Sequence, residues 1–148
     1  MKKNILGLDL GTTTLGIAIS RSGLLVSGYE NFRFNNGRYD LALEEVERIV
    51  KEENVQAICI GYPLQLSGKV SAMAVTSLGF ARLIEESTGL KVELIDERWS
   101  TKEATRILQD GGKDGFQRKE IIDETAAKLI LETYLDKLRL SDKSDEDL

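Results

Sequence analysis

The sequence predicts an α/β protein with a five-stranded mixed sheet and helices on both faces of that sheet. Three observations support this class: the first strand is apolar on both faces, three β-rich segments come first, and helix and strand then alternate. Strands joined by short turns pair antiparallel, whereas strands separated by a helix usually pair in parallel. We therefore expect three antiparallel strands followed by parallel βα units, within one domain of this 148-residue chain.

The first three predicted strands are separated only by short turns. Residues 4–10 form an apolar run that only Asp9 interrupts in its second half, and residues 14–20 are rich in β-branched side chains. These two strands are expected to form a hairpin. A third strand is predicted over 26–34, because 35–37 reads Asn-Asn-Gly, residues that tolerate positive φ.

The remaining elements follow from apolar periodicity and from capping residues. Helices are predicted over 38–53, 71–88, 100–110 and 118–139, and strands over 55–61 and 91–95. Gly89 suits a left-handed cap after the second helix, and Ser100 with Glu103 suits a capping box for the third. Because the residues after Leu140 lack apolar periodicity, we expect a domain over 1–140 and an acidic, disordered tail over 141–148.

Composition excludes several kinds of chemistry. The chain contains no histidine and one cysteine, so histidine-dependent triads and Cys/His zinc sites are not available. Cys59 lies in an apolar strand and is expected to be a buried, inert thiol. No apolar run is long enough to cross a membrane, and a lone cysteine agrees with a reducing cytoplasm, the expected location.

The charge balance argues against binding nucleic acid by bulk electrostatics. Lys and Arg total 20 and Asp and Glu total 25, giving a net charge of −5, part of which lies in the acidic tail. A nucleic-acid partner is therefore disfavoured by total charge but not excluded, because a local basic patch could still contact phosphates.

Three acidic positions are unusual for their place in the predicted elements. Asp9 puts a carboxylate near the end of the most apolar strand, as either a turn-stabilising residue or a cation ligand. Asp96 and Glu97 follow the last strand, where only one of them can share the face of Asp9, unless the segment is simply a solvated loop. Asp123 flanks the buried face of the last helix. It is either a further cation ligand or an acid in an early turn that the helix dipole favours.

Together these acids favour a divalent-metal site. The small Ala126 and Ala127 would let the last helix approach the sheet closely and bring Asp123 toward the strand ends. Carboxylates gathered at one edge repel one another, and Mg²⁺ or Mn²⁺ would relieve that repulsion while activating water for phosphodiester cleavage. One or two ions fit the ligand count.

Four segments resemble the YqgF (RuvX-like) family of bacteria at the family's spacing. They read Gly-Leu-Asp-Leu-Gly-Thr at 7–12, Gly-Tyr-Pro-Leu at 61–64, Asp-Glu-Arg-Trp-Ser-Thr at 96–101, and Arg118-Lys119 through Asp123 to Leu131. The resemblance extends from Ile5 to about Asp136. Any one segment is a weak signal, but four in order are specific.

The resemblance implies an RNase H-like fold, related to Holliday junction resolvases, and a nuclease that matures the 5′ end of pre-16S rRNA. By position it makes Asp9, Glu97 and Asp123 the catalytic carboxylates that hold Mg²⁺ or Mn²⁺, and it prefers Glu97 over Asp96. The candidate substrate contacts are Thr12, Arg98, Lys113, Arg118 and Lys119. Structured RNA is preferred over branched DNA as the partner.

Two alternatives remain from other functional classes. The Asp-x-Gly-Thr-Thr start at 9–13 is also similar to the phosphate loop of actin-like ATPases, but no glycine loop for adenosine follows the predicted third helix. A non-catalytic nucleic-acid or ribosome-assembly binding module of the same fold would show affinity without turnover.

Overall fold

The computed structural model describes residues 2–64, 69–96 and 115–146, with side chains of the last range described for 125–140. The described elements, in chain order, are β1 (Ile5–Leu10), β2 (Thr14–Ser20), β3 (Ser27–Arg33), α1 (Tyr39–Glu52), β4 (Ala57–Tyr62), α2 (Ala72–Thr88), β5 (Val92–Asp96) and α3 (Gly115–Glu146). None of the helices described has the length and apolar character needed to cross a membrane.

The five strands form one mixed sheet in the order β3-β2-β1-β4-β5. Strands β1, β2 and β3 pair antiparallel, whereas β4 and β5 add in parallel beside β1. This confirms the predicted topology. Because β1, β4 and β5 run in the same direction, their carboxyl ends meet at one edge of the sheet.

Alternation along the strands gives the sheet two apolar faces. Leu6, Leu8 and Leu10 pack in a core with α1 and α2 on one face. Ile5 lies on the other face, in a second core that contains buried residues of α3. The first strand is thus covered on both sides, as its continuous apolar sequence predicts.

Helix α3 lies unusually close to β1. A Cβ built on Gly7 would stand 2.7 Å from Cβ of Leu131 and 3.0 Å from the carbonyl oxygen of Ala127. Ala126 and Ala127 are both fully buried in this contact region. The prediction that small residues let this helix approach the sheet is therefore confirmed.

Helix α2 is capped at both ends, and its C-terminal cap is the one expected from the sequence. Ser71 Oγ accepts a hydrogen bond from the backbone N–H of Ala74 at 3.0 Å, which satisfies a free amide at the helix start. The same hydroxyl donates to the carbonyl oxygen of Pro63 at 2.7 Å, tying the helix to the preceding loop. Gly89 ends the helix with φ 76°, the left-handed conformation that glycine adopts without strain.

The last helix is longer than predicted. It begins at Gly115 and continues to Glu146, past the predicted end near Arg139 and into the segment expected to be disordered. Extending an existing helix avoids the cost of nucleation, and no Gly or Pro follows Leu140 to stop it. The helix predicted over 100–110 lies outside the described residues.

Candidate active site

Asp9 is the second-last residue of β1 and lies at the edge where the parallel strands end. It is half-buried, whereas its neighbours Leu8 and Leu10 are buried. Those two leucines face α1 and α2, so alternation puts Asp9 on the face covered by α3. Asp9 also has an interaction partner within the fold.

Glycines flank Asp9 on both neighbouring strands. Gly16 of β2 pairs directly with Asp9. Continuing the register of β1 and β4 by one residue beyond the Leu8–Ile60 pair brings Gly61 beside Asp9 on the other side. Neither glycine carries a side chain, so the two neighbouring strands place no side chain directly beside this carboxylate.

The turn after Asp9 is tied to the rest of the sheet by backbone hydrogen bonds. The N–H of Gly11 donates to the carbonyl oxygen of Thr14 at 2.7 Å, and the N–H of Phe34 donates to that of Thr13 at 2.9 Å. A Cβ on Gly11 would meet Thr14 Oγ1 at 3.0 Å, so a side chain here is disfavoured by close approach. Thr12 lies at the tip of the turn and is exposed, accessible to a partner.

Of the two acids at the end of β5, Asp96 lies on the opposite face from Asp9. Val92 and Leu94 pack with the α1 and α2 core, whereas Ile95 belongs to the α3 core. Asp96 alternates with Ile95 and therefore faces the α1 and α2 side. Glu97 is the first residue beyond the described strand, and Arg98 and Lys113 also lie outside the described residues.

Helix α3 carries Asp123, Arg118 and Lys119 in its N-terminal half. The helix runs antiparallel to β1: Ile5 lines a cleft together with Leu135, while Gly7 meets Leu131 and Ala127. The N-terminal half of the helix is therefore at the same end of the sheet as Asp9.

The part of the chain that the structure describes contains no group of three acidic, cysteine or histidine residues able to hold a metal ion. Of the three predicted ligands, Asp9 alone has a described side chain, since Glu97 lies outside the described ranges and Asp123 precedes Thr125. The chemistry of this donor set fits a hard divalent cation, because Mg²⁺ and Mn²⁺ prefer carboxylate oxygen.

Asn31 is a polar residue of this region that the sequence analysis did not single out. It lies in β3 and pairs with Gly16 of β2, and both Oδ1 and Nδ2 of its side chain are buried without a hydrogen-bond partner among the described residues. Asparagine is uncommon inside strands, so its position within the predicted third strand was a signal that could have marked it.

A separate charged cluster lies on the opposite face, between β3 and α1. Arg48 contacts Glu45 at 2.7 Å and Glu52 at 2.6 Å, and its Nη2 lies 4.0 Å from Oε1 of Glu30. Burial, together with the neighbouring carboxyl of Glu45, raises the pKa of Glu30 to about 7. Hydrogen bonds from Arg48 lower the pKa of Glu45 to about 2. This cluster joins the edge strand to α1.

Two clefts in the described part of the chain lie away from Asp9. One, of about 330 Å³, is lined by Lys2, Ile5 and Arg139, among others, and the other, of about 280 Å³, shares Arg139. Ile5 is the first residue of β1, so these clefts are at the opposite end of the strand from Asp9.

Comparison with known proteins identifies the family. Residues 3–137 match the RuvX family, described as Holliday junction resolvase. A Geobacillus sp. protein named "Putative pre-16S rRNA nuclease" is 40% identical over 133 residues, which cover 89% of this chain and 96% of the relative. A Bacillus subtilis protein of the same name is 36% identical over 135 residues, covering 90% and 98%.

Solved structures support the fold. Thermus thermophilus RuvC in complex with a Holliday junction substrate superposes with a TM-score of 0.57 at 15% identity, covering 92% of this chain and 96% of that one. A second structure of that protein gives 0.55 at 13% identity. This confirms the predicted RNase H-like architecture. The chain belongs to the RuvX family of nucleases, whose substrates are nucleic acids.

Proposed function

We propose that this protein is a divalent-metal-dependent endonuclease that cleaves structured RNA, with the 5′ end of pre-16S rRNA as its substrate. Asp9, Glu97 and Asp123 would hold Mg²⁺ or Mn²⁺ and are the proposed catalytic residues. The relatives' names support the RNA substrate, which implies work in the bacterial cytoplasm. The observation that carries the proposal is the position of Asp9, half-buried under α3 at the carboxyl edge of the sheet.

The packing of α3 on β1 supports a role for Asp123. Two residues of a strand advance about 6.7 Å, and four residues of a helix advance about 6 Å, so the two elements stay in step. Gly7 meets Leu131 and Ala127. One step further along both elements, Asp9 is level with residues 123 to 127 of the helix, a range that includes Asp123.

Strand alternation supports Glu97 over Asp96. Ile95 faces α3 and pairs with Gly61, the residue of β4 that lies beside Asp9. If the alternation of β5 continues for one more pair of residues, position 97 returns to the α3 face while Asp96 does not.

A bound divalent ion supplies a Lewis acid for the scissile phosphate and lowers the pKa of an attacking water. The protein's own residues have separate tasks. Asp9 is proposed to bind the ion and to hold it in a fixed position, because it lies in a rigid strand. The hydroxyl of the exposed Thr12 is proposed to donate a hydrogen bond to a phosphate oxygen. Arg98, Lys113, Arg118 and Lys119 are proposed to contact the RNA backbone, which gives a local basic surface on a chain of net charge −5.

The test compares Asp9→Asn with a control, Asp136→Asn. Asp136 is exposed and lies in the C-terminal half of α3. Parent and variants are incubated with an RNA carrying the pre-16S 5′ leader, with and without Mg²⁺ or Mn²⁺. We expect Asp9→Asn to lose cleavage by at least about 100-fold, as removal of a metal-binding or charge-stabilising group does. Asp136→Asn should cleave like the parent. Cleavage at the parent rate by Asp9→Asn would refute the proposal.

The family description also favours a second candidate, cleavage of a Holliday junction. A four-way DNA junction is therefore assayed beside the RNA under the same conditions. Preferential, symmetric cutting of the junction would replace the RNA assignment while keeping the three carboxylates. Salt-dependent binding without cleavage, unaffected by Asp9→Asn, would instead favour a non-catalytic module.

A further inference from the structure

Arg33, the last residue of β3, lies at the same edge of the sheet as Asp9. Strands β1 and β3 both pair antiparallel with β2, so they run in the same direction and their carboxyl ends meet at one edge. Arg33 pairs with Thr14, which is two residues before Gly16, the partner of Asp9. Two strand spacings across the sheet and two residues along a strand therefore separate the Cα atoms of Arg33 and Asp9 by about 12 Å.

Arg33 also lies on the same face of the sheet as Asp9. Phe32 and Phe34, its neighbours in the chain, both pack with the α1 and α2 core. Alternation therefore puts Arg33 on the α3 face, and the residue is exposed. Glu30, the acidic residue of β3, lies on the opposite face with α1. Strand β3 thus presents a cation and no carboxylate on the face of Asp9.

The backbone around Arg33 is held in place by its neighbours. The N–H of Phe34 donates to the carbonyl oxygen of Thr13 at 2.9 Å, next to the exposed Thr12. The Phe34 ring is buried and stacks on Phe32 with ring centroids 6.3 Å apart. Because the backbone is already fixed, a ligand that binds here orders only the arginine side chain, which lowers the entropic cost of binding.

We infer that Arg33 is a substrate-binding residue, which contacts a phosphate of the RNA backbone on the β3 side of Asp9. A planar guanidinium matches a phosphate with two parallel hydrogen bonds. Arg33 has an interaction within the fold, but its guanidinium carries five N–H donors and can bind a phosphate as well. A chain of net charge −5 needs such local cations, because its overall charge repels RNA. This inference rests on the proposed function.

The experiment compares Arg33→Gln with Arg33→Lys and with a control, Arg21→Gln. Arg21 follows β2 at the opposite edge of the sheet, and its side chain is 57% exposed. Binding of an RNA carrying the pre-16S 5′ leader is measured by fluorescence anisotropy from about 50 to 200 mM salt. EDTA is present so that the RNA is not cut, and circular dichroism checks that each variant is folded.

We expect Arg33→Gln to bind the RNA about five- to eightfold more weakly than the parent at about 0.1 M salt, which is the effect of one counterion no longer released. The slope of log affinity against log salt concentration should become shallower by about 0.7–0.9. Arg33→Lys keeps the charge and should keep the slope of the parent. Arg21→Gln should bind like the parent.

The other outcomes overturn the inference in distinguishable ways. Parent-like affinity and slope in Arg33→Gln would refute the role of Arg33, and the proposed function would stand if Asp9→Asn still loses cleavage. Equal loss of affinity and slope in Arg33→Gln and Arg33→Lys would show a structural effect, which also refutes the phosphate contact. A loss of the same size in Arg21→Gln would show a general effect of charge and refute the assignment to Arg33. If the parent itself does not bind the RNA, the proposed function fails and the role of Arg33 fails with it.

Discussion

The contact of Gly7 with α3 gives a prediction whose size follows from the structure. In Gly7→Ala, the new methyl carbon would lie 2.7 Å from Cβ of Leu131 and 3.0 Å from the backbone oxygen of Ala127. Favourable carbon–carbon contacts are about 3.5–4.0 Å, so strand and helix must separate by about 1 Å. Neither obstacle is the end of a flexible side chain, and both atoms move only with the helix.

Overpacking of this kind costs about 1–3 kcal/mol, and replacing glycine in a strand returns about 0.5–1 kcal/mol of backbone entropy. We therefore expect Gly7→Ala to lower the free energy of unfolding by about 1 kcal/mol, or the melting temperature by about 2–4 °C. The assay is urea denaturation followed by far-ultraviolet circular dichroism. If the free energy of unfolding depends on urea concentration with the same slope as in the parent, the variant exposes the same surface area on unfolding.

Gly79→Ala is the matched control. Gly79 lies within α2, and a Cβ there would meet nothing within 4 Å. The same substitution should therefore raise stability by about 0.5–1 kcal/mol through helix propensity. If Gly7→Ala were as stable as the parent, the close packing of α3 on β1 would be wrong, and the proposed placement of Asp123 near Asp9 would lose its support.

Three further predictions concern the rest of the fold. The pKa of Glu30 is about 7 in the folded protein against an ordinary value of 4.5, so the free energy of unfolding falls as pH rises through this interval. Glu30→Gln should be as stable as the parent near pH 4 and more stable by about 1 kcal/mol at pH 8, a value reduced because Glu30 is partly exposed. Urea titrations at both pH values measure this difference. Ser71→Ala removes the cap of α2 and should cost about 1 kcal/mol in the same assay, whereas an unchanged midpoint would contradict the cap geometry. Cys59 is fully buried and burial raises the pKa of its thiol, so a thiol reagent should react with it at the rate of unfolding, and fast labelling of the native protein would disprove its burial.

Local signals in the sequence were sufficient for most of the fold. Apolar periodicity and the Gly89 cap placed α2 to within a residue of its observed ends, and the turn-joined strands predicted the antiparallel half of the sheet. The end of α3 was missed because apolar periodicity reports packing, whereas a helix already formed can continue through charged residues without it. The bulge between Ile17 and Ala18 was also not predicted, since register depends on the partner strand.

The candidate site was accessible to sequence reasoning only one residue at a time. Asp9 was conspicuous because a carboxylate interrupts an apolar strand, and that signal is local. Asn31 was not conspicuous, because its closeness to Asp9 depends on two successive strand pairings that no local pattern reports. Resemblance selected Glu97 over Asp96, and the alternation of β5 now gives a physical reason that favours the same choice.

The small residues around Asp9 connect stability to the proposed chemistry. Gly7 lets α3 approach β1, and a side chain at this position would meet the helix, so this glycine serves packing. Gly16 and Gly61 lie beside Asp9 on the two neighbouring strands, and each costs its strand about 0.5–1 kcal/mol relative to alanine. Neither glycine puts a side chain next to the carboxylate, which is compatible with the ion and the phosphate that we propose are bound there.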